Sequence, residues 1–291
     1  MTASIKPPIP YFGGKITLGP VIAALLPEHK HYVEPFCGSL AVLLAKPRGG
    51  HETVNDLDGE LMTFWRVLRE QPDDLARVCA LTPHSRAEHQ AAYEPAETDL
   101  ETARRVFVRL TQGRSAKLRR TGWRHFVNPG GSTFSLPGYL AGYVDRIAPA
   151  VERLAAVSLE SMPALDLIAK YGADPDVLLY VDPPYLGTSR AESVDGYRHE
   201  MRDEQSHRDL AAALTAARAA VVLSGYPSDL YDLELYRGWD RHSMATGTGQ
   251  GSNQWGNRTE VLWSNRPLGL QPGLFDLLST NTATHAGGEV G

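Results

Sequence analysis

The segment "LLYVDPPYLG", residues 178–187, begins as a strand and then stops abruptly. Val177–Val181 is a continuous apolar run, which predicts a buried strand. An acid, two prolines and a tyrosine, Asp182–Tyr185, follow directly. Proline fixes φ and has no backbone N–H, so the strand must end here on a stiff backbone. The sequence therefore predicts a carboxylate, a free carbonyl and an aromatic ring held rigidly at the end of a buried strand.

These four residues have the chemistry needed to hold an exocyclic amine of a nucleobase. Asp182 can accept one N–H of the amine and the carbonyl of Pro183 can accept the other, which leaves the nitrogen lone pair free to attack. Pro184 stiffens the unit, and the ring of Tyr185 can stack on the base. The alternative is a strand-terminal turn with a packed tyrosine.

Around this strand the sequence alternates strands with helices, the pattern of an open α/β sheet. The predicted strands are His31–Phe36, Glu52–Val54, Ala219–Ser224 and Glu260–Asn265, and the predicted helices are Ser39–Ala45, Leu57–Leu68 and Asp203–Arg218. We expect residues 1–72 and 156–266 to form one catalytic domain and residues 73–155 to form a helical insert. A Gly/Ser/Asn-rich loop is predicted at 245–257 and a flexible tail at 267–291.

Two turns near the first strands are suited to a nucleoside-bearing ligand. In "VEPFCGS", residues 33–39, an acid and small residues lie between a strand and a helix, and Gly38 lets the backbone approach a ligand closely. Asp56 follows the second strand, where an acid can bond ribose hydroxyls or, equally, cap the next helix. "PYFGGK", residues 10–15, is either a ligand-embracing turn or an N-terminal arm, and lacks phosphate-loop spacing.

The segment 104–124, "RRVFVRLTQGRSAKLRRTGWR", contains eight basic residues and no acid, within a chain of net charge −5. Such a patch on an acidic protein is typical of phosphate contacts; for any one arginine, a solvated helix face is an equally good interpretation. The candidates for DNA contact are Arg114, Lys117, Arg119, Arg120, Trp123 and Arg124. Trp123 and Arg124 are the best candidates for base contacts.

The composition is that of a globular protein, with 42% hydrophobic and 22% charged residues among 291. Cys37 and Cys79 are the two cysteines, which argues against a disulfide scaffold and offers no zinc cluster. No apolar run has the length of a membrane span, and the first ten residues lack a signal-peptide pattern. We therefore expect a cytoplasmic protein without a metal site.

Taken together, the motifs resemble the Dam-type, D12 class of DNA adenine-N6 methyltransferases. The matching segments are "PYFGGK" at 10–15, "VEPFCGSLAV" at 33–42, "NDLDGEL" at 55–61, "DPPY" at 182–185 and "NRTEVLWSN" at 257–265. Their order is that of the family's α group. The chain departs at Tyr11, where another aromatic is common, and at Ser39 and Leu40, where many relatives carry small residues.

The resemblance implies a Rossmann-like, seven-stranded sheet that binds S-adenosylmethionine. The cofactor-binding residues that it implies are Tyr11, Gly13, Gly14, Lys15, Glu34, Pro35, Phe36, Gly38, Asp56 and Asp182. Asp56 matches the acid that holds the ribose, and Asp182 matches an acid that serves both the cofactor and the target amine. The helical insert matches the region that recognises double-stranded DNA.

The implied reaction transfers a methyl group to an adenine flipped out of the duplex, without a covalent enzyme intermediate. Three alternatives remain open: methylation of cytosine N4, an RNA substrate, and a DNA-binding relative whose catalysis has decayed. Small enzymes of this kind are often carried by phages or mobile elements, some beside a restriction enzyme.

The tail contains a further motif in "LQPGLFDLL", residues 270–278. Gln271, Leu274 and Phe275 have the spacing of short peptides that dock on the bacterial sliding clamp, and the segment resembles those peptides. The alternative is that these apolar side chains pack back on the body of the protein.

Overall fold

The computed structural model describes residues 4–125, 136–186, 201, 203–246 and 258–269. Its centre is a seven-stranded sheet of order β3-β2-β1-β4-β5-β7-β6. The strands are β1 His31–Glu34, β2 His51–Asn55, β3 Val157–Glu160, β4 Val177–Val181, β5 Ala220–Gly225, β6 Asp240–Thr246 and β7 Arg258–Ser264. The first five are parallel, whereas β7 pairs antiparallel with both β5 and β6. The expected seven-stranded α/β sheet is confirmed.

Helices connect and cover the strands. They are α1 Gly19–Leu25, α2 Ala41–Ala45, α3 Gly59–Glu70, α4 Pro72–Leu81, α5 Arg86–Ala91, α6 Asp99–Gln112, α7 Leu136–Val144, α8 Ile147–Leu154, α9 Ala164–Tyr171 and α10 Glu204–Ala216. Arg114–Ala116 is a short 3₁₀ turn and Leu230–Leu235 is a π-helical turn. In the described ranges no helix has the length and apolar character needed to span a membrane.

The sheet has an apolar core on each face. All five residues of β4 are buried, and their side chains alternate between the two sides. Leu178 and Tyr180 belong to one cluster, and Leu179 and Val181 to the other. This double burial explains why β4 is a continuous apolar run and not an alternating pattern.

The predicted helical insert lies between β2 and β3 and packs on the sheet domain. Its long helix α6 lies against α3. Val106 and Phe107 of α6 share one apolar cluster with Tyr32 of β1 and Leu178 of β4. The insert therefore shares the core of the sheet, and the domain boundaries at 72 and 156 stay a prediction.

Two strands that the sequence analysis did not predict are the two edges of the sheet. β3 ends in half-exposed residues, and β6, "DRHSMAT", is largely polar. Edge strands commonly carry polar residues, so they lack the apolar signal of a central strand. The predicted loop at 245–257 is wrong at its start, because β6 continues to Thr246; residues 247–257 lie outside the described residues.

The chain order places a cleft between β1 and β4. From β1 the chain proceeds to β2 and β3 on one side, whereas β4 and β5 extend the sheet on the other. At such a switch point the connections leave the two strands in opposite directions and open a crevice at their carboxyl ends. Glu34 ends β1 there, and Asp182 follows β4.

Candidate active site

A cleft of about 400 Å³ lies at this switch point. All ten residues that the family resemblance implies for the cofactor line it: Tyr11, Gly13, Gly14, Lys15, Glu34, Pro35, Phe36, Gly38, Asp56 and Asp182. Four separate parts of the sequence, 11–15, 34–38, Asp56 and Asp182, thus meet at one edge of the sheet. Their individual roles stay predictions.

The turn after β1 is closely packed against the N-terminal segment. Gly38 has φ +45°, and a Cβ there would lie 3.0 Å from the ring of Tyr11. The Trp65 indole N–H donates to the Gly38 carbonyl at 3.1 Å, which fixes the turn. Leu40 has φ 58°, a left-handed conformation that favours glycine.

Asp56 lies at the end of β2 and faces the cleft. Its carboxylate accepts the N–H groups of Gly38 at 3.2 Å and Asp58 at 3.0 Å. The interpretation of Asp56 as the cap of the next helix is wrong, because Asp58 is the N-cap of α3 and accepts from two N–H groups of its first turn. Asp56 therefore orients the glycine turn, and its role as a ribose ligand stays a prediction.

Two exposed leucines, which the sequence analysis missed, also line the cleft. Leu57 is 48% exposed and Leu165 is 42% exposed. Exposed large apolar side chains inside a cleft are suited to packing on a flat apolar ligand surface such as an adenine ring. The position of Leu57 directly after Asp56 was the available signal.

Glu34 is a buried carboxyl group at the floor of the cleft. Its Oε1 accepts from the Tyr32 hydroxyl and from the Leu43 N–H, whereas Oε2 has no partner among the described residues. The pKa of Glu34 is raised to about 8, mainly by burial; the hydrogen bonds from Tyr32 and Leu43 lower it, and the nearby charge of Asp182 raises it. A carboxyl group with one unused oxygen can give or take a hydrogen bond with a ligand in the cleft.

We expect Glu34→Gln to remove a pH-dependent loss of stability. Between its usual pKa of 4.5 and about 8, folded Glu34 keeps a proton that the unfolded chain has released. Wild-type stability therefore falls as the pH rises through this window, by up to about 1.4 kcal/mol per pH unit, and the Gln variant lacks this slope. Denaturant unfolding of both proteins at pH 5.5, 6.5, 7.5 and 8.5 measures the free energy of unfolding. The same dependence on pH in wild type and variant would contradict the raised pKa of Glu34.

Asp182 forms a buried ion pair with Lys15. The Lys15 ammonium lies 2.8 Å from each carboxylate oxygen of Asp182, 3.0 Å from the Gly13 carbonyl and 2.5 Å from the Tyr185 hydroxyl. Burial raises the pKa of Asp182 to about 6, with Lys15 lowering it and Glu260 raising it. At neutral pH Asp182 is thus an anionic acceptor that a lysine holds in place.

Tyr185 does not face the cleft as expected. The side chain is 6% exposed, its ring packs edge-on against Tyr226 at 4.5 Å, and its hydroxyl donates to Glu260 at 2.7 Å. Pro184 and Asp182 line the cleft, whereas Pro183 is buried beside them. In this structure the ring is packed against Tyr226, and its stacking on a base stays a prediction. The hydroxyl, which stacking alone would not need, belongs to the buried polar network.

Tyr185→Phe is expected to lower kcat about 10- to 100-fold, because Lys15 and Glu260 each lose a buried hydrogen-bond partner. The matched control is Tyr236→Phe, since the buried Tyr236 hydroxyl has no partner in the described part of the chain. Steady-state rates with saturating cofactor measure both variants. A Tyr185→Phe rate equal to wild type, with Tyr185→Ala inactive, would favour stacking over the hydroxyl network.

Glu260 and Ser224 are site residues that the sequence analysis did not single out. Glu260 lies on β7, is 4% exposed, and accepts from the Ser224 hydroxyl of β5 at 2.7 Å. Its carboxylate lies 3.5 Å from the Lys15 ammonium. The available signal was an acid inside the apolar strand "EVLWS", because charged residues are seldom buried unless paired.

A comparison with protein families shows to which family the chain belongs. The model for "D12 class N6 adenine-specific DNA methyltransferase" matches residues 11–112 and 152–239, well over half of the chain. The chain belongs to this family. It is a methyltransferase, and it uses S-adenosylmethionine as methyl donor. The cleft fits that group in size, in its glycine turn and in the unused Oε2 of Glu34.

Two solved structures show distant likeness to this methyltransferase. Both are the rRNA methyltransferase aviRa from Streptomyces viridochromogenes. One is 12% identical with a TM-score of 0.34, covering 84% of this chain and 80% of its own. The other is 14% identical with a TM-score of 0.37, covering 91% and 90%. No curated protein matches the sequence.

Three of the arginines in the basic segment of the methyltransferase are paired with carboxylates of the protein. Arg104 and Arg105 both bond Glu101, at 2.7 and 2.6 Å. Arg109, which is buried, lies 2.6 Å from Glu60 of α3. The Glu101 pairs lie within α6 itself, whereas the pair of Arg109 with Glu60 joins α6 to α3. Residues 114–124 are therefore the part of the segment suited to DNA contact.

Lys117 and Trp123 are engaged inside the protein. Lys117 is 8% exposed and its ammonium lies 4.4 Å from the centre of the Phe12 ring, so its expected phosphate contact is wrong for this structure. Trp123 stacks with His84 at 4.5 Å and His125 at 5.3 Å. A base can stack on Trp123 only by displacing these rings.

The remaining DNA candidates lie nearer the surface. Arg114 is exposed, and Arg119 is half-buried. The guanidinium of Arg120 is 64% exposed, 3.6 Å from the equally exposed Glu94. Arg124 is half-buried, with its guanidinium 4.9 Å from the ring centre of Tyr139. An exposed pair such as Arg120 with Glu94 is weak and can exchange its carboxylate for a phosphate.

Proposed function

We propose that the chain is a site-specific DNA methyltransferase that methylates N6 of an adenine flipped out of duplex DNA. The observation that carries the proposal is Asp182 at the edge of the cleft, following β4 and held by Lys15. S-adenosylmethionine, when bound, supplies a methyl group on a sulfonium cation. The residues around the cleft then have to place an amine and exclude water.

Asp182 and the carbonyl of Pro183 hold the two N–H groups of the target amine in this mechanism. Because the pKa of Asp182 is about 6, its carboxylate is ionised at neutral pH and is a strong acceptor. The fixed backbone of Pro183 and Pro184 keeps both acceptors in place before the base arrives. Most of the acceleration comes from this positioning.

Flipping removes the adenine from its stack at a cost of a few kcal/mol, which DNA contacts must offset. Arg114, Arg119, Arg120 and Arg124 supply phosphate or base contacts from the loop that follows α6. That loop touches the cofactor side directly, because the Phe12 N–H donates to the Ala116 carbonyl at 2.9 Å. DNA held by the insert is thereby brought to the edge of the cleft.

Replacing Arg119 and Arg120 together by Ala is expected to lower the slope of log affinity against log salt by about two units, one for each phosphate contact. Lys30→Ala is the matched control, because Lys30 is 80% exposed at the opposite, amino-terminal edge of β1. Fluorescence anisotropy with labelled duplex between 50 and 200 mM salt measures the slopes. An unchanged slope in the double variant would show that both arginines face solvent.

Sequencing of modified bases in DNA from cells that express the chain tests the proposal, since it gives the base, the strand and the site together. Parallel assays with duplex DNA and structured RNA separate the two substrates. Methylated adenine at one short motif in DNA is expected. Methylated cytosine, or transfer to RNA alone, would overturn the proposal.

The sliding-clamp motif of Gln271, Leu274 and Phe275 lies outside the described residues. Docking on the clamp therefore rests on the sequence alone. Binding of a peptide of residues 267–283 to the clamp, lost on changing both apolar residues to Ala, is the test; an intact peptide that does not bind ends the idea.

A further inference from the structure

Glu260 is a buried carboxylate behind the catalytic motif, and the mechanism above does not use it. It lies on β7, whereas Asp182 and Tyr185 follow β4, so β5 separates the two strands. Its Oε1 accepts from the Tyr185 and Ser224 hydroxyls, both at 2.7 Å. The same oxygen lies 3.5 Å from the Lys15 ammonium. A carboxylate with this many partners at one oxygen is held in a fixed position.

The three charged groups do not cancel. Lys15 contributes one positive charge, and Asp182 and Glu260 each contribute a negative one, so the buried trio carries a net negative charge. Lys15 alone would neutralise Asp182, whose two oxygens it contacts at 2.8 Å. Glu260 offsets part of that attraction.

The hydroxyl of Tyr185 connects the groups directly. It has one proton, and its shorter contact is to Glu260 at 2.7 Å, compared with 3.2 Å to Asp182. The hydroxyl thus donates to Glu260 and accepts from Lys15 at 2.5 Å. This arrangement leaves Asp182 with acceptor capacity for the incoming amine.

We propose that Glu260 is a positioning residue for methyl transfer, which keeps Asp182 a strong anionic acceptor by sharing the charge of Lys15 and fixing the Tyr185 hydroxyl. The inference rests on the proposed function. It adds a residue that acts through Lys15 and Tyr185 and has no contact with the reacting atoms.

The proposal makes a prediction for pH. The groups that face Asp182 are Lys15, Glu260, Tyr185, Glu34, Tyr180 and Tyr231. Among the causes that set the pKa of Asp182 at about 6, burial and the Glu260 charge raise it, and Lys15 lowers it. Removing the Glu260 charge therefore lowers the pKa of Asp182, and the acid limb of the kcat profile moves to lower pH.

Glu260→Gln is the decisive variant, because an amide oxygen still accepts from Tyr185 and Ser224 while the charge is lost. We expect kcat to fall about 10- to 100-fold at neutral pH, with the acid limb displaced downward. Ser224→Ala is the matched control: it removes one hydrogen bond to Glu260 but keeps the charge, so the acid limb stays in place. Glu260→Asp retains the charge and is the second variant if the Gln protein fails to fold.

A second readout is independent of activity. Carbon-13 NMR of the Asp182 carboxyl, with its signal assigned by loss in Asp182→Ala, follows the same titration without DNA. A downward shift of this titration in Glu260→Gln supports the inference even if the methylated base proves not to be adenine. An acid limb and an NMR titration that stay in place in Glu260→Gln would overturn it and leave Glu260 as a structural residue. If the wild-type protein methylates no adenine, the proposed function is wrong, and that result is distinct from the outcome of the Glu260 test.

Discussion

Asp182→Ala is expected to lower kcat between about 10²- and 10⁴-fold, the range lost when a positioned catalytic group is removed. The alanine variant cannot accept an N–H of the target amine, so the lone pair is no longer directed at the methyl group. The fold should survive, because Lys15 keeps Glu260 and the Tyr185 hydroxyl as partners. Single-turnover methylation, with circular dichroism on the same samples, measures both effects.

The matched control for this variant is Asp176→Ala. Asp176 precedes β4 at its amino end, is 53% exposed and pairs with Lys30. The Asp176→Ala substitution removes a carboxylate next to the same strand, but at the opposite edge of the sheet. Methylation should therefore stay within about threefold of wild type. An active Asp182→Ala enzyme would remove the basis of the proposed mechanism.

Lys15→Met is expected to destabilise the protein by about 3–5 kcal/mol at neutral pH and to abolish methylation. Without the ammonium, Asp182 and Glu260 are two buried like charges in contact with the same hydroxyl. Lower pH should recover part of the loss, because protonation of a carboxyl group whose pKa is raised above its usual value relieves the repulsion. Denaturant unfolding at pH 5.5 and 7.5 measures the difference.

Lys46→Met provides the control for Lys15→Met. Lys46 is similarly buried and pairs with Glu52 at 2.9 Å, but Glu52 also bonds Arg153. Without Lys46, Glu52 is still paired with Arg153, so the two charges cancel. The loss of stability should therefore be smaller than in Lys15→Met and should not recover at low pH. Equal losses for the two variants at both pH values would refute the charge account of the trio.

The parts of the fold that could be predicted were those in which one short segment determines its own environment. β4 is a continuous apolar run because both of its faces are buried, and the proline pair ends it at Asp182. The glycine turn at Gly38 was predictable because its positive φ excludes most side chains. The position of Asp56 and Lys15 at the cleft was predictable from the order of the family's motifs.

The contacts that could not be predicted join groups far apart in the chain. The direction of the Tyr185 side chain depends on Lys15, 170 residues away, and on Glu260, 75 residues away. The Lys117 side chain is buried because Phe12 from the N-terminal segment covers it. The edge strands β3 and β6 are defined by their partners β2 and β7 and not by their own apolar pattern.

The identity of the methylated nucleoside tests the central claim most directly. Duplex DNA incubated with the full chain and isotopically labelled S-adenosylmethionine is digested to nucleosides and analysed by mass spectrometry, with the Asp182→Ala variant as the blank. Labelled N6-methyl-2′-deoxyadenosine is expected with the wild-type protein, and none with the Asp182→Ala variant. Label in N4-methylcytosine, or no label in DNA while the folded protein still binds the cofactor, would contradict it.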